Sequence, residues 1–275
     1  MKHLRWVGYD LAFYLLLSVV TGVPLALLGW GIPRISLPMW LGLALTPTWV
    51  LLFLVGCIGM VGLVRSLLPR LEPGSYPFPE HSQTTVWLLH FALQRIVNLP
   101  LWSSLINAFA TLRWLALTAL GAKVAFNMRS SVDVSIVDHS LVELGPECML
   151  GAGTQVSGHF IEDDQLILAP VSIGAGAQIM GDAGLAPGVV IGPNAVIGPG
   201  SKLLPRVRVG EEAFIGVGCM VYQGVVIGPS AIIGHQATLE TGVSIGEGAS
   251  VQPGARVPKG TVVPDGERFP PRGNS

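Results

Sequence analysis

The chain has 275 residues, enough for two domains of ordinary size, yet only 12% are charged and half are hydrophobic, where a typical soluble domain carries roughly 25% charged residues. The net charge of −1 hides an asymmetry: residues 1–130 hold nine Lys/Arg and three Asp/Glu, residues 131–275 seven and fourteen. A basic, apolar first half suits a bilayer with anionic lipids, and the second half lacks the basic stripe with interleaved aromatics that nucleic acid requires. The three cysteines, Cys57, Cys148 and Cys219, lie far apart with no zinc spacing and read as small buried residues in a reducing compartment.

Leu11–Ile32 is uncharged and exceeds the roughly 20 residues of a spanning helix. It is too long for a signal-peptide core, and no small-residue cleavage site follows it. Leu37–Val64 is a second uncharged stretch, interrupted by Pro47, which membrane helices tolerate. Residues 1–70 therefore read as a transmembrane hairpin; the alternative is one buried hairpin of a soluble protein. Lys2 and Arg5 precede the first stretch, Arg65 and Arg70 follow the second, and Arg34 alone lies between them. The excess of positive charge at the outer ends places both termini, and everything after Arg70, in the cytoplasm of a cell-membrane protein.

Residues 71–130 come next. Leu71–Pro79 is rich in Pro and Gly and reads as a linker. Thr84–Gly121 is apolar and aromatic, broken at Pro100, and suits two helices over about 84–98 and 101–120. They fit an interfacial or re-entrant position with Trp87, Trp102 and Trp114 at headgroup depth. Two further spans, or packing on the second half of the chain, are the alternatives.

From Ile173, every sixth residue is aliphatic as far as Val263, and Phe269 closes the series. No helix or ordinary strand has period six; this is the mark of a solenoid. Two residues before each aliphatic position sits another inward one. These form three columns: Val at 171, 189, 207, 225 and 243; Ala at 177, 195, 213, 231 and 249; a small residue at 183, 201, 219, 237 and 255. The true period is thus eighteen residues, one coil of a triangular prism with three faces. Gly174, Gly192, Gly210, Gly228 and Gly246 follow the aliphatic residue of the first face and read as sources of backbone freedom at a corner. Leu144, Leu150 and Val156 make one earlier coil. The fold class is therefore N-terminal membrane helices plus an all-β parallel β-helix, recognisable from about Val142 and assigned to residues 131–275.

The repeat is broken once. Between Val156 and Ile173 lie eleven residues too many, so the segment 157–170, SGHFIEDDQLILAP, must loop out. A long insertion in a strict solenoid is a candidate functional loop.

These residues resemble the left-handed β-helix, hexapeptide-repeat acyltransferases. Gly158-His159 opening the loop, and Pro170-Val171-Ser172-Ile173-Gly174 closing it, are similar to the galactoside and maltose O-acetyltransferases, as is the closing tail from Thr261. Arg70–Gly198 also resembles the terminal membrane region of nonribosomal peptide synthetases of the polylysine type. The resemblance implies acyl transfer in a homotrimer, with acetyl-CoA as donor, each site lying between two prisms, and His159 as general base. An imidazole suits that role because its ordinary pKa of about 6.5 lies near working pH. The pattern departs from the soluble acetyltransferases at Ser130–Asp133, where their acceptor-binding segment falls, and at Gln178, where they carry Trp. Both departures touch the acceptor rather than the fold.

Other candidates surround His159. Glu162, Asp163 or Asp164 could orient the imidazole, or simply be a solvated acidic loop. Asp133 and Asp138 are candidate acceptor contacts, although Asp138 and His139, just before the first rung, better suit a cap. His235 fits a prism corner. Lys202, Arg206, Arg208, Arg256 and Lys259 are candidate ligands for CoA phosphates, or ordinary surface charge; Lys202 and Arg256 share a column, about 14 Å apart at the strand spacing of a sheet. Only His159 and His235 lie beyond residue 140, too few for a three-imidazole zinc site, so no metal is expected. The leading reading is a membrane-anchored acyltransferase acting on a membrane-linked or envelope-precursor acceptor. The alternatives are a noncatalytic membrane scaffold for a peptide synthetase or glycan machinery, and a transferase fed by a carrier-protein thioester.

Overall fold

The computed structural model describes residues 2–31 and 39–270, without the side chains of residues 2–14, 30–31, 39–44 and 101. Arg34 lies outside the described residues. The chain divides into two units: residues 1–71 with 81–121, and residues 72–80 with 122–275.

The first unit is helical. Helix α1 spans Lys2–Gly31 and α2 spans Met39–Leu67, with Pro24 and Pro47 inside them. The segment expected to hold two helices holds three: α3 (Ser82–Val97), α4 (Pro100–Ala108) and α5 (Ala110–Ala119). Pro100 opens α4 at the first turn, where its missing N–H costs nothing. The extra break falls at Phe109, whose extended backbone (φ −118°, ψ 118°) serves as C-cap of α4 and N-cap of α5. Val20 of α1, Leu54, Cys57, Ile58 and Val61 of α2, Leu93 and Ile96 of α3, Ile106 of α4 and Leu112 and Ala116 of α5 share one core. Trp87 is buried, packed at 5.4 Å on Phe91.

Leu15, Val19, Val23, Leu25 and Leu27 of α1 and Leu51, Leu52, Val55, Leu63 and Leu67 of α2 are exposed. The unit is thus apolar outside as well as inside, which is costly in water and natural in lipid. Among the described residues one helical stretch, Leu45–Leu67, is long and apolar enough to cross a membrane, and Leu15–Gly29 is a shorter apolar one.

The second unit is the prism, a left-handed parallel β-solenoid of about eight turns. Its faces are parallel sheets of eight, eight and seven strands, most of them two residues long. The register is eighteen throughout the regular part: Ile173, Ile191, Val209, Ile227, Ile245 and Val263 stack on one face. Leu144 pairs with Ile173, which is eighteen plus the eleven surplus residues. The Val and Ala columns are completely buried. The prism begins earlier than the sequence suggests. Lys123–Val124, Arg129–Ser130 and Ser135–Val137 form one more coil, paired at an offset of twenty rather than eighteen. Two extra residues, accommodated by a 3-10 turn at His139–Leu141, conceal that coil from an eighteen-residue search.

The glycines of the first face are not there for their φ. Corner residues with positive φ lie two positions later: Gly176, Asn194, Glu212, Ser230, Gly248 and Gly266. Gly192 and its column lack a Cβ because the next coil's backbone is in the way; a Cβ on Gly192 would sit 2.6 Å from the amide nitrogen of Glu211. At the true corners any residue tolerant of the left-handed region serves. Gly224 (φ 69°), with open space around its missing Cβ, is such a corner. Gly224→Asn is therefore expected to cost no more than about 1 kcal/mol, since Asn is among the residues that visit the left-handed region most readily, whereas Gly192→Asn, which must push two coils apart, should lower the urea midpoint markedly. Equal midpoints for the two variants would contradict this account.

Candidate active site

The surplus residues do not form an irregular loop. His159–Glu162 and Gln165–Leu168 are the strands of an antiparallel hairpin. Asp163 (φ 46°) and Asp164 (φ 56°) make its two-residue turn, and a turn with positive φ at both positions is the one that matches strand twist. The acidic pair is thus placed by turn geometry, since Asp tolerates this region better than most residues. The amide of Ala169 donates to the carbonyl of Gly158 (3.0 Å) and closes the base.

The segment Leu71–Pro79, expected to be a linker, also departs from that reading. Gly74–Pro77 is a strand, paired antiparallel with Gln165–Leu168. The hairpin is consequently the larger part of a three-stranded sheet.

At the hairpin base the first coil supplies the partner of His159. Val137 pairs with Ser157, so Asp138 lies directly under Gly158. Asp138 adopts the left-handed conformation (φ 57°, ψ 49°) as the chain enters the 3-10 turn. Its carboxylate, 2% exposed, accepts a hydrogen bond of 2.5 Å from His159 Nδ1. That bond needs a proton on Nδ1, so the neutral ring carries its lone pair on Nε2. The His159 side chain keeps 22% of its surface accessible. Ser157 fixes the backbone beneath the ring: its hydroxyl donates to the carbonyl of His159 (2.9 Å) and accepts from the amide (3.3 Å). Gly158 eases the close approach, because a Cβ there would stand a tight 3.0 Å from the Cβ atoms of both Asp138 and Leu141.

The remaining candidates are dispersed. Glu162 and Asp163 lie at the far end of the hairpin, with Glu162 about 10 Å along the strand from His159 and on its opposite face, being three residues away. The carboxylate on the imidazole is therefore that of Asp138, not one of the loop acids. Asp133 accepts from the Ser131 hydroxyl (2.6 Å) and the Gly153 amide (3.1 Å), which pins the first coil to the second. His235 stands at a corner, its Nδ1 accepting the Val217 amide (2.9 Å). Lys202 donates to the Asp182 carbonyl (2.8 Å). Arg206 is a corner residue with φ 63°, and Arg208 points outward from the first face next to it. Arg256 is paired with Glu240 at 2.6 Å, and its guanidinium holds the Glu240 carboxyl below the usual carboxylate range. The amide of Lys259 donates to the same carboxylate (3.3 Å). Burial raises the thiol of Cys148 to about 11 and also raises that of Cys219, so neither is a thiolate at neutral pH.

Residues 170–205, 206–241 and 225–259 match the family described as bacterial transferase hexapeptide (six repeats). Residues 170–259 of the prism thus carry the bacterial transferase hexapeptide repeat. Among solved structures, the chain is similar to the UDP-N-acetylglucosamine acyltransferase of Francisella novicida, with 18% identity, a TM-score of 0.31, and coverage of 51% of this chain and 58% of that one. It is similar to the UDP-N-acetylglucosamine acyltransferase from Campylobacter jejuni, with 18% identity, a TM-score of 0.42, and 54% and 64% coverage. It is also similar to PerB from Caulobacter crescentus in complex with CoA and GDP-perosamine, with 25% identity, a TM-score of 0.34, and 58% and 61% coverage. The chain thus spans less than two thirds of the length of each of these three proteins. No curated protein matches the chain.

Gly158→Ala is the sharpest probe of the site's construction. The added methyl group presses on Asp138 and Leu141, which must give by a few tenths of an ångström, so the low-field Nδ1 proton signal of His159 in histidine-labelled protein is expected to shift or weaken. Retention of that signal at its wild-type position would show that the close approach is not required.

Proposed function

We propose that this protein is a membrane-anchored acyltransferase that moves an acyl group, acetyl in the leading reading, from CoA to a hydroxyl or amine on a membrane-linked or envelope-precursor acceptor. The observation that carries the reading is the His159–Asp138 hydrogen bond at the eleven-residue insertion in a hexapeptide-repeat prism. With Nδ1–H directed at a buried carboxylate, Nε2 is the basic nitrogen. It takes the proton of the acceptor as the acceptor atom attacks the thioester carbonyl carbon. The C–S bond then breaks, and the CoA thiolate takes the same proton back from the imidazolium. The Asp138 carboxylate orients the ring and stabilises its positive form. A hydrogen-bond donor to the developing oxyanion completes such a site.

Of the basic residues, Lys202, Arg206 and Arg208 follow one another round a single corner of the prism, a grouping suited to the phosphates of CoA. Arg256 is committed to Glu240 and is left out of that role. Homotrimer formation would bring a neighbouring prism against each hairpin, and mass photometry in detergent tests it: a species of three chains is expected, and a monomer would remove this part of the proposal.

His159→Ala in the detergent-solubilised protein is expected to cut transfer of label from acetyl-CoA to membrane acceptors by about 10²–10⁴-fold, the usual contribution of a general base. CoA affinity by calorimetry should stay unchanged. Asp138→Asn should also lose most activity, because the amide no longer fixes the productive tautomer. Undiminished transfer by His159→Ala would remove the imidazole from the chemistry, and failure of the wild-type protein to bind CoA would favour the scaffold reading.

The apolar outer surface of α1 and α2 supports a cell-membrane location, with the prism in the cytoplasm by the distribution of Lys and Arg. The protein is expected to stay in the membrane pellet through an alkaline carbonate wash; release into the supernatant would contradict anchoring by spanning helices.

A further inference from the structure

The hairpin that carries His159 has strands of four residues, and an isolated two-stranded hairpin of this size is marginally stable in water. A catalytic side chain must be held to within about 0.5 Å of its productive position. Three strands are the smallest sheet with stability of its own, and the third strand here comes from far away in sequence. Gly74–Pro77 pairs with the inner strand in the register Gly74 to Leu168, Ser75 to Ile167, Tyr76 to Leu166 and Pro77 to Gln165. The Phe78 amide donates to the Asp164 carbonyl at the turn (2.7 Å), and the Ser75 hydroxyl to Gln165 Oε1 (3.3 Å). The same inner strand pairs on its other edge with the outer one, His159 opposite Leu168, and Leu166 and Leu168 are fully buried.

The connectivity of this strand is unusual. The chain leaves the helical unit after Leu71 and re-enters it at His81. The strand is therefore an excursion of the helical unit, covalently tied to it at both ends.

We infer that Gly74–Pro77 is a positioning strand: it clamps the hairpin and so holds His159 on Asp138. As a role in catalysis this rests on the acyl-transfer reading; as a structural clamp it does not. The ladder supplies its own control. Antiparallel pairs alternate between those that exchange hydrogen bonds and those that do not. Phe78 bonds to Asp164, which places Tyr76 and Gly74 in the bonded set and turns the amide of Ser75 outward. Pro77, which has no N–H, falls in the non-bonded set, as an edge strand permits. Proline at Tyr76 removes a ladder bond, and proline at Ser75 removes none.

The test is hydrogen exchange and steady-state transfer on the full chain in detergent. Tyr76→Pro is expected to speed exchange of hairpin amides 159–168 at least tenfold, with exchange of amides 171–263 as in the wild type. It should lower kcat for label transfer from acetyl-CoA at least tenfold at an unchanged KM for acetyl-CoA. Ser75→Pro, which loses the Ser75 hydroxyl's bond to Gln165 but no ladder bond, should loosen the hairpin and lower kcat much less than Tyr76→Pro, and Tyr76→Gly, which keeps the N–H, should fall between. Wild-type hairpin exchange in Tyr76→Pro, or equal loosening by Ser75→Pro, overturns the clamp. A loosened hairpin with unchanged kcat overturns the positioning role. If His159→Ala transfers label like the wild type, the acyl-transfer reading is lost, while the exchange comparison still decides the clamp.

Discussion

Stacking of coils at a fixed offset is the constraint on which this protein depends. A strand of two residues offers two or three backbone hydrogen bonds to each neighbour, far too few to hold by itself. Each coil is stable because the coils above and below repeat its corners, its inward aliphatic residue and its small residue at the same angles. In such a quasi-one-dimensional structure stability is shared between nearest neighbours, and an error in length propagates unless it is expelled sideways. The glycine column on the first face shows how tight the constraint is: the coils approach until no room for a Cβ remains between a residue and the backbone of the next turn.

The same constraint explains where chemistry can be placed. Residues on a regular face point either into a sealed core or straight out, and equivalent outward residues on successive coils are only about 4.8 Å apart. Such a wall can carry charge or shape, but it cannot reach over a ligand. An element standing out from the wall can. The hairpin does this without disturbing the stack because its ends are brought together by one hydrogen bond, from Ala169 to Gly158, and Val171 resumes the ladder directly above Val142.

Much of the prism was legible in the sequence because its determinants are local and periodic. The three faces, the eighteen-residue coil and the eleven surplus residues all come from counting, and the register returns the same numbers. The first coil was not legible because two extra residues at the 3-10 turn shift it to an offset of twenty. The pairing of Asp138 with His159 was hidden by the same shift: only when Val137 is set opposite Ser157 does Asp138 fall beneath Gly158. The glycines were recognised as special but for the wrong reason, since a shortage of space and a demand for positive φ leave the same letter in the sequence. The break at Phe109 carries no Pro or Gly to announce it, and Gly74–Pro77 looks like a linker because its partner lies some ninety residues away and its own composition argues against a strand.

That last discrepancy has a physical logic. A Pro-containing segment is a poor strand in the middle of a sheet and an acceptable one at an edge, where an amide that faces away has nothing to donate to. Pro77 also keeps the exposed side of the small sheet from offering a continuous row of donors, which limits pairing with stray strands. The segment therefore meets two opposing demands. It must pair on one side to steady a hairpin too short to steady itself, and remain unattractive on the other. A sequence of turn-forming residues with one tyrosine and a terminal proline satisfies both, and for that reason it resembles a linker until its partner strand is known.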